Sequence, residues 1–158
     1  MPGLTLQGLP PKWAHFCLDI CSFIQDELNL DLEERTILLA ASRGVDSTAM
    51  ILWAHVMRPR LGTSLHAVHL HHGLREQADA EAADLQRLCR KLDIPLYQGR
   101  TKASIYARRR SLGLEEAGRI LRYRFLTATA VRLGAHFLLT AHHLNDLAED
   151  ALMRRLRG

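Results

Sequence analysis

The sequence predicts an α/β protein: a doubly wound, mostly parallel sheet with helices on both faces. Three observations predict it. Short apolar runs of strand length alternate with longer segments of helical apolar spacing. Gly, Pro and Asp punctuate the junctions between them. Polar clusters follow the first, second and fourth apolar runs, and such folds hold ligands at the carboxyl ends of strands. A length of 158 residues fits one domain with a real core. At 47% hydrophobic and 24% charged, the balance is that of an ordinary globular chain.

Each element has its own signal. Residues 13–30 carry helical apolar spacing and are expected to cap the domain. Residues 36–41 form the first strand and 46–57 the first crossover helix, with Pro59 and Gly62 expected to break it. Residues 64–70 (SLHAVHL) are strand two. Residues 77–92 are an Ala/Leu/Arg-rich helix closed by Asp93 and Pro95. A short third strand covers 95–98, and a weak helix covers 102–111 up to Gly113. A long helix at 114–133 ends at Gly134, a C-cap. Strand four is 136–141 and the last helix 145–156. Right-handed crossovers then bring together 42–47, 71–75 and 142–149.

The most informative stretch is 36–50, TILLAASRGVDSTAM. A buried strand leads into a tight turn and then a helix. The turn holds Ser42, Arg43, Gly44, Val45, Asp46 and Ser47. Backbone N–H groups in such a loop point at an anion, and the helix N-terminus adds partial positive charge. Gly44 permits a positive φ and close backbone approach. Ser42 and Ser47 offer hydroxyl donors. Asp46 repels a bare phosphate but suits a magnesium ion bridging to phosphates. The loop is neither a Walker A sequence nor G-x-G-x-x-G. The same order of residues also fits an ordinary strand-to-helix turn, and the loop alone does not separate the two.

Two further polar segments stand at strand ends: 69–75 (HLHHGLR) and 140–149 (TAHHLNDLAE). His143, Asp146 and Glu149 recur every three residues and share a helix face. Five histidines lie in these segments, but their spacing fits no common zinc signature and no cysteine is near. Taken singly, each histidine fits a helix cap or a half-buried polar residue. Residues 113–123 open the long helix, with Arg119 and Arg122 one turn apart. An arginine pointed into a site can neutralise charge on a transferring phosphoryl group.

Charge is uneven. Residues 1–99 carry 9 Lys+Arg against 12 Asp+Glu, whereas 100–158 carry 12 against 5. The second part is therefore a candidate surface for a polyanion. Of the 21 basic residues 18 are arginine, which suits planar recognition of phosphate. No apolar run reaches the roughly 20 residues that span a bilayer, and the N-terminus lacks a signal-peptide pattern. A cytoplasmic protein with no membrane partner is the simplest expectation. Three cysteines, Cys17, Cys21 and Cys89, argue against a disulfide framework. Cys17 and Cys21 share a helix face and read as core.

Four segments together resemble the PP-loop (N-type) ATP pyrophosphatases, and within them the N-terminal domain of bacterial tRNA(Ile)-lysidine synthetases. SRGVDS (42–47) is similar to the family's SGGxDS. HLHHGLR (69–75) is similar to HxxHGLR, LEEAGRILRY (114–123) to EAxARxxRY, and TAHHLNDLAED with LMRRLRG (140–158) to TAHHxDDQxET with LLRLxRG. The resemblance runs from about Thr36 to Gly158. Four motifs in order are far more specific than any one of them.

The resemblance implies a Rossmann-like, adenine nucleotide alpha-hydrolase-like fold. Residues 1–35 are then an N-terminal helical extension and 36–158 the PP-loop ATP-binding domain. It also implies a two-step ligase. ATP and Mg2+ bind at the loop, and O2 of cytidine 34 in a CAU-anticodon isoleucine tRNA attacks the α-phosphorus. Pyrophosphate leaves. The amine of L-lysine attacks C2 of the adenylated base, and AMP leaves. Carried over by motif, Ser42, Arg43, Gly44, Val45, Asp46, Ser47, His72 and Arg75 line the nucleotide. Asp46 and Asp146 hold the metal. Asp46, Arg119, Arg122, His143 and Asp146 serve catalysis.

This chain departs from the pattern. Arg43 stands where the family has glycine, and its side chain is expected either to block the backbone approach or to bind phosphate itself. Asn145 replaces an aspartate, Leu147 a glutamine, Asp150 a threonine and Gly118 an alanine. Family members continue beyond the position of Gly158 with a further strand and tRNA-holding domains. The sheet is thus expected to lack its last strand, whether the chain is a fragment or a short relative, and a homo-oligomer is one way to cover the exposed edge. Two other readings compete: a PP-loop tRNA thiolase, and a non-catalytic nucleotide- or RNA-binding module marked by Arg43. The thiolase reading is disfavoured because no cysteine sits at a strand-end loop.

Overall fold

The computed structural model describes residues 4–71 and 77–141. After a short 3₁₀ turn at Leu6–Gly8, helix α1 covers Pro11–Ser22 and runs into one wide turn at Phe23–Glu27. The rest alternates strand and helix: β1 (Thr36–Ala40), α2 (Val45–Leu61), β2 (Ser64–His71), α3 (Gln77–Lys91), β3 (Leu96–Arg100), α4 (Ala103–Arg110), α5 (Leu114–Leu133) and β4 (Phe137–Thr140). The expected last helix, 145–156, lies outside the described residues.

The sheet order is β3-β2-β1-β4, and every pairing is parallel. β1 pairs with β2 from Thr36↔Ser64 to Ala40↔Val68, and with β4 from Ile37↔Phe137 to Ala40↔Thr140. The chain first builds outward from β1 to β2 and β3. It then crosses back to place β4 on the other side of β1. That reversal opens a crevice at the carboxyl ends of β1 and β4.

Alternation along the strands sorts side chains onto two faces. Ile37, Leu39, Leu65, Ala67, Phe137 and Leu139 face α1, α2 and α3, which add Cys17, Ile51, Met57, Leu85 and Cys89 to one core. Trp53 Nε1 donates to the Cys17 carbonyl at 3.1 Å, tying α2 to α1. Leu38, Val68, Tyr97 and Leu138 face the opposite way, toward Phe125, Leu126, Ala130 and Leu133 of α5. The doubly wound, parallel arrangement is the one the sequence predicts.

The helix ends follow local chemistry. Gly134 (φ 60°) closes α5, and the Ala135 N–H bonds to the Ala130 carbonyl at 2.9 Å, as a C-capping glycine requires. Pro59 does not break α2 as expected. The helix runs on to Leu61 and stops at Gly62, whose φ is 63°. A proline in the last turn forfeits one hydrogen bond, and burial of Val56 and Met57 holds the turn in place. β3 also extends beyond the expected 95–98. Gly99 and Arg100 pair with Leu70 and His71, so partner strand β2 sets its length.

Candidate functional site

A cleft of ≈ 270 Å³ opens at the carboxyl ends of β1, β2 and β4. Ser42, Ser47, His69, Arg122, Leu126 and Thr140 are among its walls. It lies at the point where the strand order reverses, with the β1–α2 loop on one side and α5 on the other.

The loop is built to hold its shape. The Ser42 N–H donates to Ser47 Oγ at 2.7 Å, and that hydroxyl donates to the Ala40 carbonyl at 3.3 Å. Ser47 is buried, and its hydroxyl clasps the two ends of the loop. Ser42 Oγ accepts from the Gly44 N–H at 3.3 Å, so its own hydroxyl hydrogen is not used in that bond. The Ala41 N–H donates to the Val68 carbonyl at 2.8 Å, and His69 Nδ1 stands 2.9 Å from the Ala41 carbonyl. β2 therefore anchors the loop where it leaves β1. Thr48 donates both its N–H and its hydroxyl to the Gly44 carbonyl, at 3.0 and 3.1 Å, starting α2.

Gly44 does not use the positive φ that the sequence suggested. Its φ is −62° and ψ 150°, an extended N-cap open to any residue. A Cβ added there meets only Ser42 Oγ at 3.5 Å, an ordinary contact. The protein's own packing therefore makes no demand for glycine at this position. Asp46 lies exposed in the first turn of α2, where the helix dipole favours a carboxylate. Val45 beside it is 79% exposed, an apolar side chain left bare at the mouth of the loop.

Arg43 is more than half exposed and reaches toward α3. One guanidinium nitrogen lies 3.0 Å from a carboxylate oxygen of Asp84 on α3. Asp84 is also paired with Arg87, one turn further along α3. On the opposite wall, Arg122 is half-buried, lines the cleft and lies 5.5 Å over the Tyr123 ring. Arg119 is half-buried one turn earlier on α5 and is not among the cleft walls. The fold thus brings Ser42, Ser47 and Arg122 to one cleft. His72, Arg75, His143 and Asp146 lie outside the described residues.

Asp84 and Leu126 escaped sequence reasoning. Leu126 was findable, since it lies one helical turn from Arg122 on the same face. Asp84 gave no local signal, because its link to the loop exists only once α3 packs beside α2.

A family model for the PP-loop domain matches residues 15–158. The chain belongs to the PP-loop family. A tRNA(Ile)-lysidine synthase of Nitratidesulfovibrio vulgaris is 46% identical over 77% of this chain and 35% of its own length. The tRNA(Ile)-lysidine synthase of Petrotoga mobilis is 35% identical over 88% of this chain and 44% of its own. The chain therefore spans less than half the length of these relatives. Among solved structures, the U34-tRNA thiolase NcsA of Methanococcus maripaludis, with its [4Fe-4S] cluster, matches 90% of this chain and 50% of its own. The TM-score is 0.71 at 17% sequence identity, a likeness of fold. These matches bear out the resemblance carried by the four PP-loop motifs.

The cysteines of this PP-loop chain stand apart from its cleft. Cys17, Cys21 and Cys89 pack with the α1–α3 core, and none lines the cleft. Burial pushes all three thiols up, Cys89 to about 11. Metal–sulfur chemistry needs thiolates, so these positions favour packing. Among the described residues, no helix is long and apolar enough to cross a membrane.

Proposed function

We propose that this chain is the ATP-binding, adenylating part of a tRNA(Ile)-lysidine synthase. The observation that carries the reading is the cleft at the strand reversal, where the PP-loop faces Arg122 across the ends of β1 and β4. Its donors suit an ATP triphosphate. Loop N–H groups and the α2 dipole hold the pyrophosphate portion. Arg122 faces charge that builds on the α-phosphate as O2 of cytidine 34 attacks and the bond to pyrophosphate breaks. Ser47 keeps the loop in shape. The lysine amine then forms its bond to C2, the C2–O bond breaks, and AMP departs with the electron pair.

Mg2+ fits the donors at hand. The ion takes one or two carboxylates and completes its shell with phosphate oxygens and water. Asp46, exposed at the loop, is one such carboxylate, and Asp146 is the second by motif. When bound, the ion supplies charge neutralisation at the phosphates. His143 and Arg119 serve orientation by the same motif reading, and His72 and Arg75 line the nucleotide. For the tRNA, Arg108, Arg109 and Arg110 stand exposed at the end of α4, with Arg124 exposed on α5. These arginines belong to the basic half of the chain and suit a phosphate backbone.

The test is magnesium-dependent release of pyrophosphate from ATP, with and without a CAU-anticodon tRNA. Release that requires this tRNA is the expected result. Arg122→Ala is expected to slow it about 100-fold. Pyrophosphate release that is the same with and without this tRNA overturns the ligase reading. ATP binding without turnover instead supports a binding module, the reading that Arg43 in place of the family glycine favours.

A further inference from the structure

The Arg43–Asp84 contact carries an inference that rests on the nucleotide reading above. Arg43 belongs to the phosphate loop, yet its guanidinium is engaged by an anion of the protein itself. Asp84 sits between two guanidinium groups, Arg43 from the loop and Arg87 from its own helix. Arg43 is 56% exposed and Asp84 30%. An ion pair so open to water is weak and easily exchanged. A polyphosphate carries more charge than one carboxylate and offers a guanidinium two oxygens at once. Arg43 is itself a loop residue, so an anion held by the loop backbone would lie beside its own main chain.

We propose that Asp84 is a positioning residue that holds Arg43 off the phosphate loop until a polyphosphate arrives. The bound phosphate then takes over the Arg43 guanidinium, and Arg87 keeps Asp84 paired after the exchange. The bulky residue at the family's glycine position is thereby kept from blocking the loop and becomes a phosphate ligand. Asp84 acts as an internal competitor, so it sets how tightly polyphosphate is held.

Calorimetric titration with inorganic pyrophosphate and with ATP, in magnesium, tests this on the chain and four variants. Removing the competitor by Asp84→Asn is expected to tighten pyrophosphate binding about threefold. Asp84→Glu is expected to restore ordinary affinity. Arg43→Ala is expected to weaken binding about tenfold. In the Arg43→Ala background, Asp84→Asn is expected to change nothing, which a merely structural role for Asp84 does not produce. Tighter binding by Arg43→Ala overturns the proposal, since the arginine then obstructs. An Asp84→Asn effect that survives without Arg43 overturns it too, as does no effect at all. In each of these cases ATP binding by the unaltered chain leaves the nucleotide reading standing. If the unaltered chain binds neither ligand, both fall together.

Discussion

The two faces of the sheet are unequal. Among the described residues, sixteen buried residues form one apolar cluster against α1, α2 and α3, whereas Leu38, Val68 and Leu126 are the buried members of the cluster against α5. That imbalance separates two tasks. The thick face removes most of the apolar surface from water and holds the strands in register. The thin face leaves room at the strand ends for the cleft, and its helix presents Arg122. Even the cysteines obey this division, since all three pack on the thick face.

The comparison breaks most decisively at Ile51, which is 0% exposed on α2. Ile51→Ala is expected to cost about 3 to 4 kcal/mol, through lost transfer energy and an unfilled cavity. Leu126→Ala, on the thin face, borders a cleft already open to water and is expected to cost about 2 kcal/mol. Urea unfolding of both measures the gap. Equal losses show that the faces share stability evenly, and the division above is then wrong.

A smaller effect is expected at Gly99. This position on β3 faces α5, and an added Cβ falls 2.6 Å from the Phe125 ring. Gly99→Ala therefore pushes α5 outward, at an expected 1 to 2 kcal/mol or about that. Adding Phe125→Leu is expected to recover most of it in the same unfolding assay. Because α5 also carries Arg122, ATP affinity is expected to fall with Gly99→Ala and return in the pair. Loss without recovery places the strain elsewhere than at the ring.

The last effect appears only at high pH, as the alkaline limb of stability. Burial raises the Cys89 thiol to about 11 from its usual 9.0. The folded protein thus holds this proton more tightly than the unfolded chain does. The resulting stability is full below the unfolded pKa and is lost as pH rises from 9 toward 11. The melting temperature is expected to fall over that interval, and less steeply in Cys89→Val. Parallel curves for the two proteins remove Cys89 from the thick-face core's pH response.

Much of this was legible along the chain. The buried runs of β1 and β2, the glycine cap of α5 and the strand–turn–helix of the loop are local patterns, and they fixed the parallel α/β class. The boundaries that moved are those where tertiary contact overrode a local signal. Pro59 reads as a stop, yet packing carried α2 on to Leu61. The third strand reads as ending at residue 98, yet pairing with β2 carried β3 on to Arg100. Gly44 reads as a residue chosen for positive φ, yet it is extended.

The site divides the same way. Sequence by itself determined the phosphate-loop motif, the arginine-rich second half and the family to which these point, because each is a property of neighbours along the chain. Only the tertiary structure decided that Arg122 faces the loop while Arg119 lies off the cleft walls. Only it decided that Ser47 clasps its own loop and that Arg43 pairs with Asp84. Those outcomes depend on which residues the crossovers bring within a few ångströms, and contacts between distant segments have no period or spacing that a linear sequence displays.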